Sequence, residues 1–216
     1  MKDIAIFGAG GFGREVACLV KIINESRKEP QWNFIGFFDD GVEKGTQISH
    51  FGKVLGGMAE LNAWDKQLDL AIAIGNPKSL RKVRERIDNK NISYPNVIAP
   101  NFGISDAETF SIGEGNIIGS GCAVSVDVTI GNNNILNADI VMGHDAQIGN
   151  YNVLMPDIRM SGEVKIGEGN LVGVGSIILQ QIEIGNGVHL GAGAVLMTKP
   201  KDGCTYIGNP AKRLKY

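Results

Sequence analysis

The chain has 216 residues, 43% apolar and 20% charged, enough for two small domains with their own cores. Its 21 Lys plus Arg against 23 Asp plus Glu leave a net charge of -2 without basic runs, which argues against a nucleic-acid surface or a polybasic membrane anchor. No apolar run is long enough to span a bilayer, the start MKDIAIFGAGG meets glycine too soon for a signal-peptide core, and the scattered Cys18, Cys122 and Cys204 exclude a disulfide scaffold and fit a reducing cytoplasm.

The first part of the chain alternates strand and helix signals. Residues 3–7 form a short apolar run that ends in Gly8-Ala-Gly-Gly-Phe-Gly13. From Arg14 to about Asn24, the residues Val16, Leu19, Val20 and Ile23 fall at helical spacing. Residues 34–38 read as a second strand closing on Asp39-Asp40-Gly41, and residues 68–74 as a third. Asn76-Pro77 then opens a helix that runs to about Arg86, with Pro77 suited to a first helical position. Strands alternating with helices imply a parallel sheet covered by helices. The predicted boundary falls where the helical signal ends, giving a Rossmann-like α/β domain over 1–95 and a different grammar over 96–216.

That second grammar is a repeat of period six. From Ile112 through Ile118, Val124, Ile130 and onward to Leu196, every sixth residue is aliphatic or Met. The next residue is often glycine, and the residue four on is small or aliphatic, as in Cys122, Val128, Ala146 and Ser176. Such a period fits neither a helix nor a half-buried strand; it describes a short strand, a tight corner and one inward aliphatic per side. Three sides close a coil of 18 residues, so Ile112 to about Lys201 makes five coils of a β-solenoid. The corners need permissive backbone, which this reading assigns to the glycines and to Asn116, Asn134, Asn152 and Asn170.

The repeats Ile112-Gly-Glu-Gly-Asn, Ile166-Gly-Glu-Gly-Asn and Ile184-Gly-Asn-Gly-Val resemble the left-handed parallel β-helix of hexapeptide acyltransferases. The tail Gly208-Asn-Pro-Ala-Lys-Arg213 resembles the segment that closes that family's coenzyme A site. Joined to Gly8-Ala-Gly-Gly-Phe-Gly-Arg-Glu15, they are similar to bacterial N-acetyltransferases of UDP-linked 4-amino sugars and to sialic acid O-acetyltransferases. The resemblance implies acetyl-CoA as co-substrate, a nucleotide sugar as acceptor and a homotrimer with active sites at the subunit seams.

Moving an acetyl group from a thioester to an amine needs a base, and an imidazole largely neutral at pH 7 suits that task. Among His50, His144 and His189, only His144 stands beside an acid two residues past an inward aliphatic, in Met142-Gly-His-Asp145. A neighbouring carboxylate orients an imidazole and stabilises its protonated form. The resemblance makes His144 the general base, with Asp145 in support. It makes the Gly162 N–H a donor to the thioester oxyanion, and such donors contribute about 2.7–4 kcal/mol. It puts Asn137 and Asn152 near the acceptor, with Asn152 standing where a second histidine is often found. Gly162, Gly173, Val174, Ser176 and Gly191 are then expected along the coenzyme, with Lys212 and Arg213 at its phosphates. His189 lies too far along the coils to share a metal with His144, so no metal site is expected.

In the first domain, Gly8-x-Gly10-x-x-Gly13 between a strand and a helix is a phosphate-cradling pattern, with Gly11 and Phe12 inside it. About 95 residues hold one mononucleotide half, which argues against a dinucleotide cofactor. A nucleotide-sugar pyrophosphate needs the same cradle. Asp39 and Asp40 are expected to accept hydrogen bonds from a uracil or ribose, and Gly75 and Asn76 to lie on the same carboxyl edge. Three rivals stand beside N-acetyl transfer: O-acetylation of sialic acid or another sugar, a trimerisation rod, and a nucleotide-dependent oxidoreductase.

Overall fold

The computed structural model describes residues 1–215. The chain divides into two compact units, Met1–Pro100 and Asn101–Tyr216. The division falls past the Pro95 boundary suggested by the loss of helical pattern.

The first unit contains β1 (Lys2–Phe7), α1 (Gly11–Glu25), β2 (Trp32–Phe38), β3 (Gln47–Ile48), β4 (Gly52–Gly56), α2 (Met58–Asn62), β5 (Leu68–Ile72), α3 (Pro77–Arg86) and β6 (Ile92–Ser93). The sheet order is β3-β4-β2-β1-β5-β6, parallel except for the β3–β4 hairpin. This is a Rossmann-like α/β layer. Its order reverses between β1 and β5, so a crevice opens at their carboxyl ends. Ile4 and Ile6 on β1, Phe37 and Phe38 on β2, and Leu70 on β5 are fully covered. Val16, Val20 and Ile23 of α1 pack into the same core. Trp32 reaches across to donate its indole N–H to the buried Asp69 carboxylate at 2.8 Å. Helix α3 starts as its sequence dictates, with Asn76 accepting from the Ser79 N–H at 3.1 Å and Pro77 at the first helical position. The β3–β4 hairpin and the short α2 and β6 carry too few periodic residues to stand out in the sequence.

The second unit is a parallel β-solenoid with three sheets. Two-residue strands stack at intervals of 18, as in Ile117–Ile118, Ile135–Leu136 and Val153–Leu154 for the first sheet. Ala123–Val124 and Val141–Met142 belong to the second, and Thr129–Ile130 and Gln147–Ile148 to the third. The inward aliphatics Ile118, Val124, Ile130, Leu136 and their successors are at most a few per cent exposed and form a continuous core. The repeat begins earlier than Ile112. Gly103–Ile104 pairs with Ala123–Val124, twenty residues on, because a two-residue insertion between Ile104 and Ile112 breaks the period.

Corner chemistry differs from the sequence reading in one respect. Left-handed φ angles fall at Gly115, Asn133, Tyr151 and Gly169, one residue before each asparagine assigned to a corner. Asn116, Asn134, Asn152 and Asn170 point inward, fully buried, in a ladder. The Asn152 amide donates to Asn134 Oδ1 at 3.1 Å and to the Gly167 carbonyl at 2.9 Å, and its Oδ1 accepts from the Asn170 N–H at 3.0 Å. Each amide thus satisfies the next coil's main chain where no water reaches. Glycines after the inward aliphatics serve close approach instead: a Cβ on Gly143 would sit 2.7 Å from the Gly162 nitrogen.

Candidate active site

His144 and Asp145 occupy the corner between strands Val141–Met142 and Gln147–Ile148. Asp145 is in the left-handed region, with φ 58°, a conformation that aspartate tolerates better than most residues. That turn folds its carboxylate back onto the preceding side chain. His144 Nδ1 lies 2.7 Å from Asp145 Oδ2, with both side chains about half exposed. A carboxylate only accepts, so Nδ1 carries the proton and Nε2 presents its lone pair. The sequence alone left open whether these neighbours point apart; the corner geometry brings them together.

Gly162 lies one coil below, directly under the imidazole. A Cβ there would fall 2.5 Å from His144 Cε1 and closer still to Nε2, so only glycine lets the ring lie where it does. Main-chain bonds fix this stack: the Asp145 N–H donates to Val126 O at 3.0 Å and the Glu163 N–H to His144 O at 2.8 Å. The Gly162 N–H donates to no carbonyl among the described residues. The corner therefore groups an imidazole whose Nε2 is the acceptor in the neutral ring, an orienting carboxylate and an uncommitted amide donor.

The remaining residues expected here separate. Asn137, Gly173, Val174 and Gly191 lie along the other edge of the second sheet. Asn137 donates its side-chain amide to the Leu154 carbonyl at 3.0 Å. Two expectations are corrected. Asn152 is a core rung and cannot touch an acceptor. Ser176 is fully buried, donating to the Gly173 and Gly191 carbonyls at 2.7 and 3.1 Å, and does not line a coenzyme groove. Lys212 and Arg213 are exposed on a strand antiparallel to Thr205–Ile207.

Between the two edges runs a largely apolar strip. Among the described residues eleven large hydrophobics are exposed. Apart from Met1 and Ile22, Ile104, Val141 and Ile177 lie on the second sheet, with the exposed Arg159 between Val141 and Ile177, while Val126, Met155, Val174, Leu179 and Met197 flank it and Ile207 ends a strand of the first sheet. The third sheet presents Ser111, Thr129, Gln147, Lys165 and Glu183 instead. Among the described residues no group of acids, cysteines and histidines is arranged to hold a metal, and no helix is long and apolar enough to cross a membrane.

In the first unit the glycine loop closes on the crevice at β1 and β5. Gly8 has φ 110° and lies so near Ala73 that a Cβ would meet its carbonyl oxygen at 2.7 Å. Gly13 brings the first turn of α1 onto Gly8, where a Cβ would overlap the Gly8 carbonyl. Gly10 caps α1 with no side-chain bond and no acid follows in the first turn, so the turn's N–H groups face out. Phe12 is half-buried there, and Gly10 and Gly11 are exposed. Arg14, which the sequence reading passed over, folds back over this turn, its Nη2 3.9 Å from the Cβ position of Gly11. Gly75 and Asn76 are exposed at the end of β5. Asp39 accepts main-chain N–H groups from Ala9 and Gly41, each at 2.8 Å. Asp40 turns away from the loop: it accepts from the Met58 N–H at 2.7 Å and pairs with Arg86 at 3.0 Å.

Residues 3–87 match the family described as PglD N-terminal domain, and residues 163–197 the bacterial transferase hexapeptide repeats. No curated protein sequence matches the chain. Among solved structures, the acetyltransferase domain of PglB from Neisseria gonorrhoeae, in complex with acetyl coenzyme A, is 29% identical with a TM-score of 0.85, over 99% of each chain. The chain is a hexapeptide-repeat acetyltransferase with a PglD-type first domain. PerB from Caulobacter crescentus, in complex with CoA and GDP-perosamine, is 27% identical, TM-score 0.83, over 100% of this chain and 98% of that one. WeeI from Acinetobacter baumannii is 27% identical, TM-score 0.86, over 99% and 100%. Within this acetyltransferase fold the solenoid is the left-handed β-helix, and the His144 corner lies in its second sheet's edge.

Proposed function

We propose that the protein transfers an acetyl group from acetyl-CoA to the amine of a nucleotide-linked amino sugar, with UDP as the nucleotide, for bacterial surface-glycan synthesis in the cytoplasm. The observation that carries this reading is the His144 corner: Nε2 free, Nδ1 held at 2.7 Å by Asp145, and an unspent amide beneath. The acceptor nitrogen attacks the thioester carbonyl carbon. His144 Nε2 takes its proton while Asp145 stabilises the imidazolium. The Gly162 N–H donates to the developing oxyanion, and the carbon–sulfur bond breaks to release coenzyme A as thiol once the imidazolium returns the proton. The pantetheine lies along Gly173, Val174 and Gly191, with Lys212 and Arg213 at its phosphates. The first domain holds the nucleotide diphosphate at Gly8, Gly10, Gly11, Phe12 and Gly13, with Gly75 and Asn76 beside it; on the solenoid, Asn137 is a contact for the acceptor.

The active enzyme is a homotrimer joined through the second sheet. Supporting this, the exposed apolar residues concentrate on that strip, and the two edges that carry the expected acceptor and coenzyme residues flank it. Thiol release from acetyl-CoA with UDP-4-amino sugars, a GDP-linked amino sugar and free sialic acid tests the acceptor; faster turnover of sialic acid would assign the O-acetyl reading instead. Substituting His144→Ala is expected to cut turnover by about 10²–10⁴-fold while sedimentation still reports a trimer, and an equally impaired but unassembled protein would leave the rod reading standing.

A further inference from the structure

Asp39 ends β2 beside the glycine loop, where an acid reads as a ligand for the base or the ribose. Its geometry gives it another task. One carboxylate oxygen accepts from Ala9 inside the loop at 2.8 Å, and the other from Gly41 in the following turn at 2.8 Å. The segment is pinned on both sides, by Gly8 N–H to Phe38 O at 2.8 Å and Asp39 N–H to Gly56 O at 2.9 Å. We propose that Asp39 is a positioning residue: it ties the glycine loop to β2 so that the N–H groups of Gly10, Gly11 and Phe12 face the diphosphate, and it does not contact the base or ribose. The proposal deepens the nucleotide-sugar reading of the first domain and rests on it.

A charged acceptor holding two main-chain N–H groups is a strong pair of bonds, and ordering the loop in advance spares that cost on binding. The side chain is only part-buried, so a ligand could compete for its oxygens; in the positioning role both main-chain bonds stay in place when the diphosphate binds. Asp40 offers no substitute, because both its oxygens are committed to α2 and Arg86.

The test measures the affinity of the full chain for UDP, 2′-deoxy-UDP and GDP, before and after Asp39→Asn. An amide turns one acceptor into a donor facing an N–H. A positioning role predicts that all three ligands weaken by the same factor, roughly tenfold, so their ratios stay fixed. A change in the UDP to deoxy-UDP or UDP to GDP ratio overturns the proposal, as does unchanged affinity throughout. Hydrogen exchange on the unaltered protein gives a readout that needs no variant. The Ala9 and Gly41 amides are expected to be protected without ligand and to stay protected when UDP binds. Loss of that protection on binding would mean that Asp39 leaves them for the ligand. Failure of the unaltered protein to bind any of the three diphosphates would instead remove the nucleotide reading itself.

Discussion

Replacing Gly162 with alanine isolates the position of the catalytic imidazole from every other feature of the corner. The alanine Cβ would lie 2.5 Å from His144 Cε1 and 3.0 Å from Cδ2, against an ordinary carbon contact of about 3.5–4.0 Å. The ring must therefore move by about 1 Å, and the 2.7 Å bond from Nδ1 to Asp145 cannot survive that shift unchanged. Gly162 is not in the left-handed region, so alanine brings no backbone strain, and it keeps the N–H that would meet the oxyanion. A misplacement of this size costs on the order of 100-fold in rate, about 2.7 kcal/mol at the transition state. Thiol release gives kcat/KM, and a thermal melt shows that the fold is intact. The decisive comparison combines Gly162→Ala with His144→Ala. If glycine acts through the ring, the second change costs nothing once the imidazole is gone. A further 100-fold loss in that background, or full activity of the single variant, would refute the reasoning.

Asp145→Asn should lower kcat by about 10- to 100-fold with an unchanged melting temperature, because an amide donor facing Nδ1 favours the tautomer that blocks Nε2, and the pair is half exposed. Asn152→Ala should lower stability by about 2–4 kcal/mol, since it strips partners from the Gly167 carbonyl and the Asn170 N–H in the core; a raised KM with no change in melting would mean it touches the acceptor after all. Burial pushes the Cys122 thiol up from its ordinary pKa, so alkylation of the native protein at pH 8 should mark exposed Cys18 and spare Cys122, as peptide mass mapping would show.

Period six in the sequence reaches far into the structure. It locates the inward aliphatics, the coil length and the corner that holds His144. It breaks down at Ile104, where two inserted residues shift the phase and hide the first turn of the solenoid. The asparagines mislead for a different reason. Their residue type fits a left-handed corner, yet each stands four places after an inward aliphatic, the phase of Cys122, Ala146 and Ser176, which all face the core. Phase outweighs residue type there, and the same rule applied to Ser176 would have removed it from the coenzyme groove. In the first domain the glycine loop and the Asn76 cap are legible because local backbone needs dictate them. The separate duties of Asp39 and Asp40 are not, because they depend on which distant N–H groups the fold brings near.

The asparagine ladder makes the solenoid indifferent to how many rungs it has but intolerant of fractions of one. Excising a segment of 18 residues below the catalytic corner would rejoin amide to amide and aliphatic to aliphatic, as the pairing of Asn134 with Asn152 already does. A cut of any other length through the ladder itself would present a corner to a strand. The laddered part of the stack can therefore lengthen or shorten in whole storeys, with small insertions confined to a corner such as the one between Ile104 and Ile112, leaving the chemistry on its own floor.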